Sequence, residues 1–161
     1  MTIRLLLLAV LTSFQCLALN EGHLLALSQV ESGGNFRAVS RTGAELGAYQ
    51  FQKSTWDDVT RLRRSSGEKT WDFPAARMPV ESSAYARTWL NHHYARLLSD
   101  LHRPPTDQEL YATWSLGYQG FKKRKFNLAA CPAITRDTAE RYGRLTAQCA
   151  TKLSQAGVLP N

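Results

Sequence analysis

The residue with the clearest chemical promise in this chain is Glu31. It follows Leu24, Leu25, Leu27 and Val30, apolar residues at helical spacing, and it precedes Gly33-Gly34, a pair that stops a helix. A carboxyl on the last turn of a mostly buried helix is partly desolvated, so its charged form is disfavoured and its pKa rises. A general acid working near neutral pH needs that property. Small polar residues then run from Ser40 to Gly43, and Gly47-Ala48-Tyr49-Gln50-Phe51 alternates like a short extended or hairpin segment. Such a segment can lay backbone and amide groups along an extended polymer. Ordinary glycosidases pair two carboxylates; the candidates for a second are Glu45, Asp57 and Asp58. Glu45 reaches the cleft if the hairpin folds over Glu31. No metal or other cofactor is expected, because no Cys or His cluster has ligand spacing. His92 and His93 are adjacent and point to different sides of a helix, as surface or groove residues.

Glu31-Ser32, Ala38-Val39-Ser40, Gly43-Ala44 and Gly47 followed by Gln50 resemble the signature of the lytic transglycosylase family. That pattern runs Glu-Ser, then a serine nine residues after the glutamate, then Gly-Ala-x-Gly-x-x-Gln. One departure is that Glu45 and Leu46 stand between Gly43-Ala44 and Gly47, where the family usually has one residue. A second stretch, Ala112 to Gly120, resembles the family's Ala-Tyr-Asn-Ala-Gly segment, with Trp114 at the tyrosine and Ser115 at the asparagine. The resemblance covers Leu24 to Tyr142. It implies a mainly α, lysozyme-like single domain with a small β-hairpin, and it makes Glu31 the catalytic acid. The substrate-binding residues it implies are Ser40, Tyr49, Gln50, Trp114, Ser115 and Tyr142, the last as the late-helix tyrosine that faces the acid. The implied reaction is cleavage of the β-1,4 bond between N-acetylmuramic acid and N-acetylglucosamine in peptidoglycan strands, closing a 1,6-anhydro ring. The alternatives are a hydrolytic muramidase, if Glu45 acts as a second carboxylate, and a non-catalytic glycan-binding or assembly factor. Small exported members often open the wall locally for a secretion, conjugation or pilus apparatus, which is the partner expected here.

The elements that must position these residues follow from pattern. Arg4, the apolar run Leu5–Leu11 and the small Ala18 read as a secretory signal over residues 1–18, too short to span a bilayer as a stable helix. Residues 19–161 then form one exported domain, periplasmic or secreted, with no transmembrane segment after signal removal. Trp56, Val59 and Leu62 predict a helix capped by Ser54 or Thr55 and stopped by Ser65-Ser66-Gly67. Glu68 to Pro79 reads as a loop. The longest helix is expected over Val80 to Leu101, and Thr106-Asp107-Gln108-Glu109 has the form of a capping box opening the next. A last helix is expected from Arg136 to Gln155 with Thr135 as cap and Tyr142, Leu145 and Cys149 inward.

Four Trp, six Tyr and six Phe within 43% hydrophobic residues make the chain globular rather than disordered. The net charge of +7 attracts anionic polymers or surfaces without choosing among them. Lys122-Lys123-Arg124-Lys125 is the densest basic run and reads as a solvated loop; no nucleic-acid-binding fold accompanies it, so no specific nucleic acid is expected. Once the signal is removed, Cys131 and Cys149 are the cysteines left, and an exported pair is expected to form a disulfide, stabilising by roughly 3 kcal/mol.

Overall fold

Asn20 starts the first helix, α1 (Glu21–Ser32), with reciprocal hydrogen bonds. The His23 N–H donates to its side chain at 3.3 Å, and its own N–H donates to His23 Nδ1 at 3.2 Å. The structure, a computed structural model, describes residues 19–155, so the expected export signal lies outside the described residues. The inward face of α1, with Leu24, Ala26 and Leu27, is buried. Two short strands follow, β1 (Glu45–Leu46) and β2 (Phe51–Gln52), antiparallel with Glu45 opposite Gln52 and Leu46 opposite Phe51.

The turn joining these strands depends on Gly47. Its φ of +78° suits glycine, and a Cβ built there would lie 1.8 Å from the Ala76 carbonyl oxygen. That carbonyl belongs to a 3₁₀ turn, Phe73–Arg77, within the expected loop. The hairpin is therefore pressed onto this turn at a point where no side chain fits.

Helix α2 (Lys53–Ser65) leaves β2 directly, with Gln52 at the cap position; neither Ser54 nor Thr55 serves as its N-cap. Helix α3 (Pro79–Leu101) opens on Pro79, whose missing N–H costs nothing in a first turn. Helix α4 (Asp107–Lys123) carries the expected capping box: Thr106 Oγ1 accepts from the Glu109 N–H at 3.2 Å, and Glu109 Oε2 accepts from the Thr106 N–H at 2.8 Å. Helix α5 (Ala133–Gln155) begins after Pro132, and Thr135 lies inside its first turn, buried. It packs on α1 and α4, while α3 packs on α2, α4 and α1. Among the described residues no helix is long and apolar enough to cross a membrane. The arrangement is the mainly α, lysozyme-like domain with a small hairpin.

Aromatic packing locks the hairpin to the helices. Trp56 stacks on Tyr85 with centroids 3.7 Å apart, and Phe51 meets Trp56 and Trp114 edge-on, each at 5.3 Å. Truncating a buried aromatic of this size costs about 3–5 kcal/mol. Arg63, also buried, ties down the next loop by donating from Nε to the Lys69 carbonyl at 2.9 Å and from Nη1 to Thr88 Oγ1 at 2.7 Å.

Two expectations are corrected. Cys131 and Cys149 are both free. Cys131 sits just before α5 and Cys149 lies sixteen residues beyond its first residue, Ala133. At 1.5 Å per residue that is about 24 Å along one rigid rod, far outside disulfide reach. His93 is not a surface residue: it is 1% exposed, and burial with help from His92 and Arg96 pushes its pKa down to about 3, so it is a neutral core side chain.

Candidate active site

Glu31 occupies the last turn of α1, and the residues that end the helix also aim it. Gly33 adopts the left-handed conformation, its N–H donating to the Gln29 carbonyl at 3.1 Å, and the Gly34 N–H donates to the Ser28 carbonyl at 2.9 Å. Ser32 then stitches the helix end to the hairpin turn: its hydroxyl donates to the Ala48 carbonyl at 2.9 Å and accepts from the Asn35 N–H at 3.1 Å. Ser32 thus holds the helix end and the hairpin turn together directly beside Glu31.

Glu31 opens into a cleft of about 380 Å³. The hairpin contributes Glu45, Gln50, Phe51 and Gln52 to its walls, and the helices contribute Thr55 of α2 and Trp89 of α3. The wall formed by α4 holds Tyr111, Trp114, Ser115, Leu116 and Gly117. Gly117, with φ 70° and ψ 154°, breaks the helical path of α4 beside the cleft, a conformation open only to glycine. Burial pushes the Glu31 pKa up from 4.5 to about 7; the negative charge of Glu45 adds to the rise, and a hydrogen bond with the Tyr111 hydroxyl opposes it. The Tyr111 phenol is itself pushed up, by burial and by Glu31. Near neutral pH the site therefore holds a carboxyl that can both release and accept a proton, steadied by a phenol that keeps its own.

Of the residues singled out from the sequence, Glu31, Glu45, Gln50, Trp114 and Ser115 share this cleft. Gln50 has a φ of 48°, rare for a side-chain-bearing residue, and its amide donates to the Gly47 carbonyl at 2.8 Å, which braces the turn. Ser40 is not part of the lining. Its hydroxyl accepts from the Glu45 N–H at 3.1 Å and its N–H donates to the Glu45 carbonyl at 3.0 Å, so it shapes the loop that presents Glu45. Tyr49 is 3% exposed and faces the core, with its hydroxyl 3.0 Å from Ser83 Oγ. Tyr142 is also core. It packs behind Tyr111 with ring centroids 5.6 Å apart, and the tyrosine that meets the acid is Tyr111. Tyr111 and Trp89 are the residues that sequence reasoning missed. Tyr111 stands three residues before Trp114 and four before Ser115, on the same helical face, and that spacing was the available signal.

A model of the transglycosylase SLT domain matches residues 15–113. The probable transglycosylase SceD of Staphylococcus aureus, strain Newman, is 54% identical over 39 residues, and its counterpart in strain USA300 is identical to the same degree over the same length. The aligned segment makes up 24% of this chain and only 17% of each relative.

Proposed function

The chain belongs to the transglycosylase SLT domain family, and on that premise we propose that it is a peptidoglycan lytic transglycosylase with Glu31 as acid and base in turn. The observation that carries this reading is a carboxyl raised to about 7 in an open cleft of about 380 Å³. Neutral Glu31 donates its proton to the oxygen linking N-acetylmuramic acid to N-acetylglucosamine, and the muramyl C1–O bond breaks. The substrate's own acetamido group meets the positive charge left at C1. Glu31, now a carboxylate, takes the proton from the muramyl 6-hydroxyl as that oxygen bonds to C1. The product is a 1,6-anhydro end, and no water is consumed.

A second reading has one observation in its favour. Glu45 lines the same cleft, and an ionised carboxylate there can hold a water against C1, giving hydrolysis. Mass spectrometry of digested peptidoglycan separates the two, because hydrolysis leaves reducing ends heavier by one water. Anhydro ends that vanish with Glu31→Gln support the transglycosylase. Reducing ends that depend on Glu45 support the muramidase, and no release from a folded protein supports a non-catalytic glycan binder.

The substrate places the site of action outside the cytoplasm, in the periplasm or beyond, with residues 1–18 as the export signal. We extend the reading to local wall opening for a secretion, conjugation or pilus apparatus, which rests on the family resemblance. A chromosomal Glu31→Gln substitution that leaves such an apparatus fully working ends that extension.

A further inference from the structure

A second concavity of about 420 Å³ shares Trp89 with the cleft and lies in the seam between α2 and α3. Asp58, Arg61, Leu62 and Ser65 form one wall, and Trp89 and His92 the other. Thr55 of the cleft and Asp58, Leu62 and Ser65 of the seam recur every three or four residues, so a single face of α2 floors both. Trp89 is the shared step between them.

That step is an aromatic stack. The rings of Trp89 and His92 stack, 9° from parallel with centroids at 5.3 Å, so His92 covers part of an indole face and adds its own outer face to the stack. His93 backs Trp89, its ring centroid 4.2 Å away. Both ring nitrogens of His93 are buried without a hydrogen-bond partner among the described residues, so its tie to Trp89 is packing alone. Flat apolar ring faces suit the C–H faces of pyranose rings. At the far wall Arg61 is exposed and pairs through Nη2 with Asp58, leaving other N–H groups of its fork for an anionic group. Muramyl residues of a wall strand carry a carboxylate either on the lactyl group itself, where no peptide is attached, or on the peptide that is amide-linked to it.

We propose that the seam is an extended seat for the same peptidoglycan strand whose bond lies at Glu31, with a sugar ring against the Trp89–His92 stack and a carboxylate of its branch on Arg61. The proposal rests on the glycan-cleaving reading of the cleft. Its consequence is that the enzyme favours strands long enough to cross Trp89 over short oligomers.

The test compares soluble glycan strands of graded length. In the wild type kcat/KM rises with length, and the ratio of long to short falls about tenfold in the double variant Arg61→Ala, His92→Ala, the size expected for one charge-assisted contact with part of a stacking surface. Unchanged melting temperature guards against misfolding. No rise with length in the wild type, or a rise that survives in the double variant, overturns the proposal. Calorimetric binding of long strands to Glu31→Gln keeps it separate from the reaction: a length-dependent Kd that weakens with Arg61→Ala supports the seat even if no cleavage is found. A Kd indifferent to Arg61 and His92 overturns the seat even if cleavage is normal.

Discussion

Two substitutions in the cleft should move the protonation of Glu31 in opposite directions. Tyr111→Phe removes the hydroxyl whose hydrogen bond favours the Glu31 carboxylate, so the neutral acid gains. A hydrogen bond to a charged group is worth about 1.5–3 kcal/mol and one pKa unit is about 1.4 kcal/mol, so the rise above 7 is roughly one to two units. Water in the open cleft brings it toward the lower end. Glu45→Gln removes a negative charge that raises Glu31. The fall should be about one unit or less, because desolvation is the larger cause and solvent screens the pair. In the proposed mechanism Glu31 must be protonated to act, so the alkaline limb of kcat/KM would report its pKa in the free enzyme. Turnover of soluble glycan strands across the neutral range is the assay. The limb is expected at higher pH in Tyr111→Phe and at lower pH in Glu45→Gln, with the double variant near the wild type. Limbs that stay put, or that move the same way in both variants, refute the assignment of Glu31 as acid and Tyr111 as its partner.

Four further outcomes are expected. Because the folded Glu31 pKa lies above 4.5, its contribution to stability is full below that pH and lost as pH rises through about 7. The loss is at most about 3 kcal/mol before allowance for solvent, so Glu31→Gln should raise the melting temperature by a few degrees under mildly alkaline conditions and not in acid. His93 has the opposite sign: its stabilisation is present above 6.5 and lost as pH falls toward about 3, and His93→Leu should flatten that acid limb of a pH–melting curve. Gly47→Ala should cost on the order of 2–3 kcal/mol in urea unfolding, because the methyl has no space against Ala76 and the backbone no easy route to φ +78°. Thiol titration of the denatured, unreduced protein spanning residues 19–161 should count both Cys131 and Cys149, and adding reductant should not lower its melting temperature.

The parts of this fold legible in the sequence are those whose cause is local. Thr106 marks a helix start in the sequence, whereas the Asn20 cap was not read there, because its His23 partner does not follow the Ser/Thr-x-x-Glu pattern. Gly33-Gly34 ends α1 through carbonyl-to-amide bonds that need only adjacent residues. Glu31 was legible because its desolvation follows from the helix that carries it. The residues that were not legible take their role from distant neighbours. Tyr49 and Phe51 alternate with Gln50 as a strand would, yet whether the tyrosine faces a cleft or a core depends on Ser83, 34 residues away. Tyr111 and Tyr142 are both inward on their helices, and only the packing of α5 behind α4 puts Tyr111 next to Glu31. Cys131 and Cys149 stay unpaired for a related reason: both thiols belong to one stretch of chain, and a continuous helix keeps them apart whatever the compartment.

The inserted residue in the hairpin loop then acquires a physical meaning. Ser40 and Gln52 fix Glu45 from two sides, the serine at its backbone and the glutamine amide at its Oε1, 3.1 Å away. A carboxylate held this way places negative charge in the cleft, where it does two things at once. It adds to the burial that raises the Glu31 pKa, and under the proposed mechanism it would also stabilise the positive charge that develops at the sugar carbon. Neither service requires it to activate water. Its presence in the cleft is therefore compatible with ring closure by the substrate's own hydroxyl, and the two readings part only on whether Oε2, the oxygen that Gln52 does not engage, holds a water in line with that carbon. Glu45→Gln decides between them, because it removes hydrolysis outright if such a water is the nucleophile. If the muramyl hydroxyl is the nucleophile, the anhydro product persists at a rate lowered by the missing charge.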